Sequence, residues 1–522
     1  MNGVKKQRKR VNHANKFAII LSIALIINVF FYWLPDSILG VPVKKVDLLS
    51  DIRILPDVDS GDLLALSEDD FDDVHIENFD SYAETADSTS PAFTSSDPDL
   101  QEADSDQDIS IITQERNDSL VNSTRATSNT KDTTSNTTIK DKSNIDYFVN
   151  TNIEDFTSEH TGLRRFFTAI NNINNLGRPV RIAFVGDSFI EGDILVADFR
   201  AMMQEHFGGK GIGFIPITSN VAQYRPTIKQ SAKGWKTYSI VKNRNRKYVI
   251  SGMQFEPETD NPTVNIQAVD MYPGLEEISS LKFIYSKNED TDIILRSDTD
   301  TALYELPPTE TVTQYEIKSR FTKGVIQLKK AQGLNAIGMA LEDDYGVIVD
   351  NLALRGNSGI IMSDLCKESC RELQHVRPYD LIVLQYGLNV ASDSVRDYGW
   401  YRNIMIPVVE HVQNCFPGAD VLIMGVSDRS KNDGGSYSTM PAVLALLRAQ
   451  RQIAMQTEVT FWSTFAAMGG HNSMVKYVNY NWASKDYTHL SFRGGREVAT
   501  ALFDALLIEK ELYDDDKGLV ER

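Results

Sequence analysis

Two hydrophobic rhythms alternate along the chain once order sets in near residue 146. Leu163, Phe166, Phe167, Ile170 and Ile173 recur at three- and four-residue spacings, which predicts an amphipathic helix in LRRFFTAINNINNL. RIAFVGDS, from Arg181, is a run of β-forming residues that stops at Gly-Asp-Ser, with a helical pattern following through Ile194 to Phe207. GGKGIGFIP then reads as a glycine-rich turn. From about 220 to 343 the pattern changes to short alternating runs: TVNIQAVDMY, SLKFIYSK, DIILRSD, QYEIKSRF, GVIQLKKA and NAIGMALE. Regular strand spacing without helical periodicity predicts an all-β sandwich. Strand and helix signals alternate again afterwards: YGVIVDNLAL, a helix near 363–375, YDLIVLQYG, a helix near 401–414, ADVLIMGVS, a helix near 440–456, VTFW, and a last helix over about 492–510. An α/β domain (146–219 and 344–515) interrupted by a β-sandwich (220–343) accounts for this order more simply than two consecutive domains.

The first 145 residues follow neither rhythm. Residues 1–16 carry six basic side chains and no acidic one, and Phe17 to Leu34 is an uncharged apolar run ending near a Tyr-Trp pair. The run is long for a signal peptide, so 17–35 is expected to be a single-pass membrane anchor. The basic flank stays in the cytoplasm, which places the rest of the chain outside the cytoplasmic membrane. Residues 36–145 are acidic and rich in Ser and Thr, a composition that cannot offset its ordering entropy by burial. As a flexible tether they reach roughly 60 Å. Val43 to Asp80 differs in mixing acidic with large apolar residues, and reads either as a docking segment or as a solvated linker.

The net charge of −19 argues against nucleic acid as a partner. Three cysteines make no disulfide framework; Cys366 and Cys370 read as small buried residues. No His or Cys spacing suggests a metal, and no cofactor is expected.

Four polar motifs fall at or near the carboxyl ends of expected parallel strands, where open α/β sheets bind ligands. They are Ser188, RGNSG (Arg355 to Gly359), QYGLN (Gln385 to Asn389) and DYTH (Asp486 to His489). A serine hydroxyl needs a base to remove its proton as it attacks; His489 is the candidate, with Asp486 holding the other ring nitrogen. The Ser188 and Gly359 N–H groups and the Asn389 amide are candidate oxyanion donors, with Gly356 as the alternative glycine. For Ser188 the competing structural role is a helix N-cap.

These four blocks resemble those of SGNH (GDSL-type) hydrolases. Within that superfamily the chain is similar to the peptidoglycan O-acetylesterases and O-acetyltransferases of Gram-negative bacteria. The likeness rests on VRIAFVGDS with GGKGIGFIP, on the β-insertion between the first two blocks, and on VTFWSTFAAMGGHNSMVKY running into DYTHLSFRGG. It covers about 155–510. It implies a three-layer, flavodoxin-like α/β fold with a parallel sheet, an inserted domain like a carbohydrate-binding module, and a triad of Ser188, Asp486 and His489. The expected activity is removal of O-acetyl groups from a cell-envelope or extracellular glycan through an acyl-enzyme, with the catalytic domain in the periplasm. The alternatives are an O-acyltransferase served by a membrane acyltransferase partner, and an inactive glycan-binding protein. Trp235, Tyr238, Tyr248, Tyr272 and Tyr285 offer sugar-stacking rings in the insertion, but such aromatics belong more often to sandwich cores.

Overall fold

The computed structural model describes residues 148–520, and separately the short strands Ser37–Ile38 and Val41–Pro42, which pair antiparallel with each other. The expected anchor (17–35), the basic segment before it and nearly all of the 36–145 linker lie outside the described residues. Among the described residues no helix is long and apolar enough to cross a membrane.

Continuous runs of Val, Ile, Leu and Phe form strands buried on both faces, as a parallel sheet between helical layers requires. The strands are β1 (Val180–Gly186), the second half of β3 (Asn335–Ala353), β4 (Leu381–Gln385), β5 (Asp420–Gly425) and β6 (Thr460–Ser463). They are parallel in the order β3-β1-β4-β5-β6, and Glu154–Asp155 closes the β6 edge antiparallel. Helices α3 (Lys367–Val376), α4 (Gly399–Cys415) and α5 (Pro441–Gln456) pack side by side. The final helix α6 (Phe492–Val520) packs against α1 (Arg164–Asn171) and α2 (Val196–Phe207). Helix α1 stops short of the expected span. The Asn172 side chain donates to Thr168 O at 2.9 Å, so an Asn-rich stretch competes for the carbonyls that would extend the helix.

GGKGIGFIP is not a turn. Gly209–Ile215 forms a strand, β2, antiparallel to the first half of β3. Its glycines break the alternating signal because the strand is bulged and close to its neighbour. A Cβ on Gly211 (φ +99°) would lie 2.4 Å from Leu341 O. Nor does the chain pause between NAIGMALE and YGVIVDNLAL. β3 runs unbroken for 19 residues, across the expected domain boundary at 343. Its first half pairs with β2 and with Leu281–Lys287, and its second half with β1.

The sandwich has one five-stranded antiparallel sheet, ordered Thr301–Glu305, Asp292–Ser297, Lys323–Lys329, Thr263–Gln267, Lys229–Lys233. It packs on a layer made of Thr313–Ile317, Leu281–Lys287, the first half of β3, β2, Met253–Pro257 and Trp235–Ser239. Val264, Ile293, Leu295, Ile326 and Leu328 on one side meet Phe255, Leu281, Phe283, Met339 and Leu341 on the other. Trp235, Tyr248, Tyr272 and Tyr285 are buried, and the ring of Tyr238 lies under the Arg246 guanidinium at 3.8 Å. Cys366, Cys370 and Cys415 are unbridged, the last two buried.

A buried ionic network ties sandwich to parallel sheet through β3. Arg377, after α3, grips Glu342 with two N–H groups (2.8 and 2.7 Å) and Asp350 through Nε (3.0 Å) and Nη2 (2.8 Å). Arg181 of β1 and Lys282 of the sandwich also reach Glu342, at 2.7 and 3.2 Å. Burial pushes the Glu342 carboxyl up, but Arg377, Arg181 and Lys282 together hold it well below the usual carboxylate range. Removing one partner from such a set leaves the others charged and uncompensated. Arg377→Met is therefore expected to cost about 3–5 kcal/mol in urea unfolding. A loss below about 1 kcal/mol would mean that the network contributes no net cohesion.

Candidate active site

The sheet order brings three separate turns together at its carboxyl edge. β1 ends at Gly186, and a Cβ there would lie 2.7 Å from Gln385 O, so glycine permits the close approach of β4. Ser188 follows in an irregular turn. α2 begins only at Val196, after a 3-10 turn (Glu191–Asp193) in which Gly192 and Asp193 both have positive φ. Ser188 is thus no helix cap.

Its hydroxyl instead faces His489, with Oγ 3.3 Å from Nε2. The other ring nitrogen, Nδ1, lies 2.6 Å from Asp486 Oδ2. Asp486 Oδ1 also accepts from the His489 N–H (3.0 Å), the Thr488 N–H (2.8 Å) and the Ser484 hydroxyl. Burial raises the Asp486 carboxyl, but hydrogen bonds from His489 and Ser484 outweigh it and hold the group well below the usual range. It is therefore an anion at neutral pH, placed to fix the ring tautomer and to stabilise an imidazolium. The three residues expected from sequence are brought together, 301 positions apart in the case of Ser188 and His489.

The expected oxyanion donors fare differently. Asn389, in the 3-10 turn after β4, donates from Nδ2 to Asp187 Oδ2 and to Asn357 O, both at 2.9 Å. The Gly359 N–H is engaged by Asn357 Oδ1 at 2.7 Å, and Gly359 is buried against the Tyr386 ring. That geometry removes Gly359 as a donor to a ligand. Gly356, the alternative, is half-buried with φ +67°, and nothing lies within 4 Å of where its Cβ would stand. Among the described residues neither the Gly356 nor the Ser188 N–H donates to another backbone or side-chain group.

Three neighbours went unremarked in the sequence. Asn357 joins the second and third turns through its side chain and its carbonyl. Asp187 is buried, accepts the Phe189 N–H at 2.9 Å and anchors Asn389. Burial pushes Asp187 up to about 7, against the lowering pull of the Phe189 N–H, a charged His489 and Gln385. Glu191 pairs with Arg355 Nε at 2.6 Å; burial raises its carboxyl beyond what Arg355 restores. Asp187 and Asn357 stand inside quoted motifs, yet nothing in a linear reading distinguishes them from ordinary turn residues.

No family model and no curated protein matches the chain. Solved structures do. A peptidoglycan O-acetylesterase structure superposes with a TM-score of 0.56 at 20% identity, over 70% of this chain and 99% of that one. A GDSL-like lipase from Parabacteroides merdae overlaps 30% of this chain and 72% of its own (14% identity, TM-score 0.25). A family two carbohydrate esterase from Cellvibrio japonicus overlaps 55% of this chain and 98% of its own (11% identity, TM-score 0.24). At 20% identity the first likeness is one of fold. The chain shares the fold of that O-acetylesterase structure, a parallel α/β sheet, and its β-sandwich is inserted between the first two polar turns.

Proposed function

We propose that the protein is a serine esterase that removes O-acetyl groups from a cell-envelope glycan. The observation that carries this reading is the continuous Ser188–His489–Asp486 contact at the carboxyl edge of the sheet. His489 Nε2 takes the Ser188 proton as Oγ attacks the acetyl carbonyl, giving a tetrahedral intermediate whose oxyanion faces the turn donors. As the intermediate collapses, the imidazolium protonates the departing sugar oxygen, leaving acetyl-Ser188. Water, deprotonated by His489, then attacks this ester, and acetate leaves as Ser188 recovers its proton. The 3.3 Å separation of Oγ and Nε2 is of the kind that tightens when substrate binds.

The oxyanion donors in this reading are the Ser188 N–H, the Gly356 N–H and Asn389 Nδ2. Nδ2 must share one hydrogen, now directed at Asp187 or Asn357 O, with the developing charge. The acidic, apolar-flanked N-terminal region suits a periplasmic head tethered to the inner membrane by residues 17–35, with residues 1–16 in the cytoplasm. Transfer of the acyl group to a sugar hydroxyl would use the same atoms and differ only in the acceptor. The likeness of fold to an O-acetylesterase supports water.

Purified protein is expected to hydrolyse p-nitrophenyl acetate, and Ser188→Ala to lose at least about 10³-fold in kcat/KM. Activity equal to wild type in this variant would remove the nucleophile assignment. With an acetylated donor and an unacetylated glycan acceptor present, free acetate should account for the acetyl lost; acetyl-sugar accumulating in its place would favour the transferase.

A third expectation concerns Asp187. Its folded pKa of about 7 lies above the ordinary carboxylate value, so the folded state binds a proton that the unfolded state has released. Stability from this group is therefore present at low pH and is lost as pH rises from about 4 through 7, by up to the order of 4 kcal/mol. The stability difference between wild type and Asp187→Asn, which does not titrate, should shift against wild type by a large part of this between pH 5 and pH 8. A pH-independent difference in denaturation would contradict it.

A further inference from the structure

The turn that presents Asp486 and His489 contains a strained residue. Tyr487 lies between them with φ +57°, left-handed backbone that costs a non-glycine residue about 1 kcal/mol or more. The base of the turn is closed by the Ser484 N–H to His489 O at 2.8 Å and by the Ala483–Leu490 bridge. Tyr487 itself is held from outside. Its carbonyl accepts the Ser430 N–H at 3.1 Å, and its ring lies flat on Tyr437, with centroids 3.6 Å apart and planes within 9°.

Both partners belong to one hairpin, Ser430–Asp433 paired antiparallel with Ser436–Thr439, which rises from the carboxyl end of β5. Its roots are fixed independently of the Asp486 turn. Just before it, Asp428 accepts the Met474 N–H at 2.9 Å and the Ser473 hydroxyl at 3.3 Å. At its return end Thr439 and Asn472 exchange hydrogen bonds: the Thr439 N–H donates to Asn472 Oδ1 (3.0 Å) and the Asn472 N–H to Thr439 Oγ1 (2.7 Å). A rigidly rooted hairpin thus reaches across to Tyr487, the left-handed one of the two residues that separate carboxylate from imidazole. Tyr437 remains about a third exposed, so its ring is not there to fill a core.

We propose that the Ser430–Thr439 hairpin is a positioning element for the Asp486–His489 pair, with Tyr437 as the residue that acts, through its stack on Tyr487, to aim the imidazole at Ser188. This rests on the assignment of Ser188 as nucleophile with His489 as its base. Tyr437 touches none of the reacting atoms; it narrows the orientations open to a ring that must meet Oγ within hydrogen-bond reach. Misplacement by about 1 Å is enough to lower a rate by up to about 100-fold.

The test uses the full chain with Tyr437→Ala and Tyr437→Phe, and reads two quantities: hydrolysis of p-nitrophenyl acetate, and the rate of covalent labelling of Ser188 by a fluorophosphonate, which needs no acetyl or glycan recognition. Tyr437→Ala should lower kcat and the labelling rate together by about 10- to 100-fold, with KM changed less than about twofold and the thermal midpoint nearly unchanged. Tyr437→Phe, which keeps the stack, should restore both rates. Wild-type rates in Tyr437→Ala overturn the proposal, as does an equal loss in Tyr437→Phe, since the hydroxyl rather than the stack would then matter. A rise in KM alone also overturns it, making Tyr437 a substrate contact. A wild-type chain that is neither labelled at Ser188 nor active removes the nucleophile assignment, and the proposal with it.

Discussion

The pairing of β3 with β1 sets the geometry of everything at the carboxyl edge. Parallel strands require a long crossover, and here the crossover contains α2, β2 and the whole sandwich before β3 returns beside β1. Its register puts Ala353 opposite Gly186, and the Leu354 N–H donates to Gly186 O at 2.8 Å. RGNSG is thereby delivered beside Asp187 and Ser188. A slip of one residue would exchange the two buried faces of β3 and carry Asn357 away from Asn389. The buried carboxylates of Glu342 and Asp350, both on β3 and both gripped by Arg377, oppose that slip. An ion pair out of register in the interior leaves charges unpaired, a far larger cost than a displaced aliphatic group.

That strand also explains why the insertion is so large without disturbing the site. The sandwich does not hang from two loops. Its inner layer is continuous with the parallel sheet through β3, and Lys282 reaches from the sandwich to the same Glu342 that holds Arg181 of β1. Asp193 adds a second join. Its buried carboxylate accepts Arg225 Nε at 2.9 Å, Thr227 Oγ1 at 2.5 Å and Asn351 Nδ2 at 2.8 Å, directly behind the Ser188 turn. The sandwich and the Ser188 turn therefore share buried partners.

What could be read from the sequence was what periodicity and local chemistry record. The helices at Gly399–Cys415 and Pro441–Gln456 lie within a few residues of expectation, as do strands such as Leu381–Gln385 and Asp420–Gly425, because each repeats one pattern. Glycines defeated that reading at Gly209–Ile215, where the close neighbour that demands them is more than a hundred residues away. The exposed Asp344 and Tyr345 made β3 look like two strands. In the site, Ser188, Asp486 and His489 were visible because nucleophile chemistry specifies residue types. The choice between Gly359 and Gly356 stayed open there, since it turns on where the Asn357 side chain points. The hairpin over Tyr487 was equally hidden: KNDGGSYST gives turn residues but no sign of what its Tyr437 would stack upon.

Around His489 the carboxyl groups have been driven apart in their proton affinity. Asp486 is kept ionised by the hydrogen bonds it accepts, while burial pushes Asp187 up to about 7. The difference matters because the two lie on opposite sides of the reaction. In the proposed reaction, an anion beside Nδ1 favours the imidazolium that would appear as Ser188 attacks. An anion at Asp187 would stand next to the forming oxyanion and compete with it for the Asn389 amide. Keeping that carboxyl partly protonated near neutral pH weakens both the repulsion and the competition. In the proposed reaction, the same environment that makes Asp187 expensive to ionise would favour the step at which negative charge collects beside it.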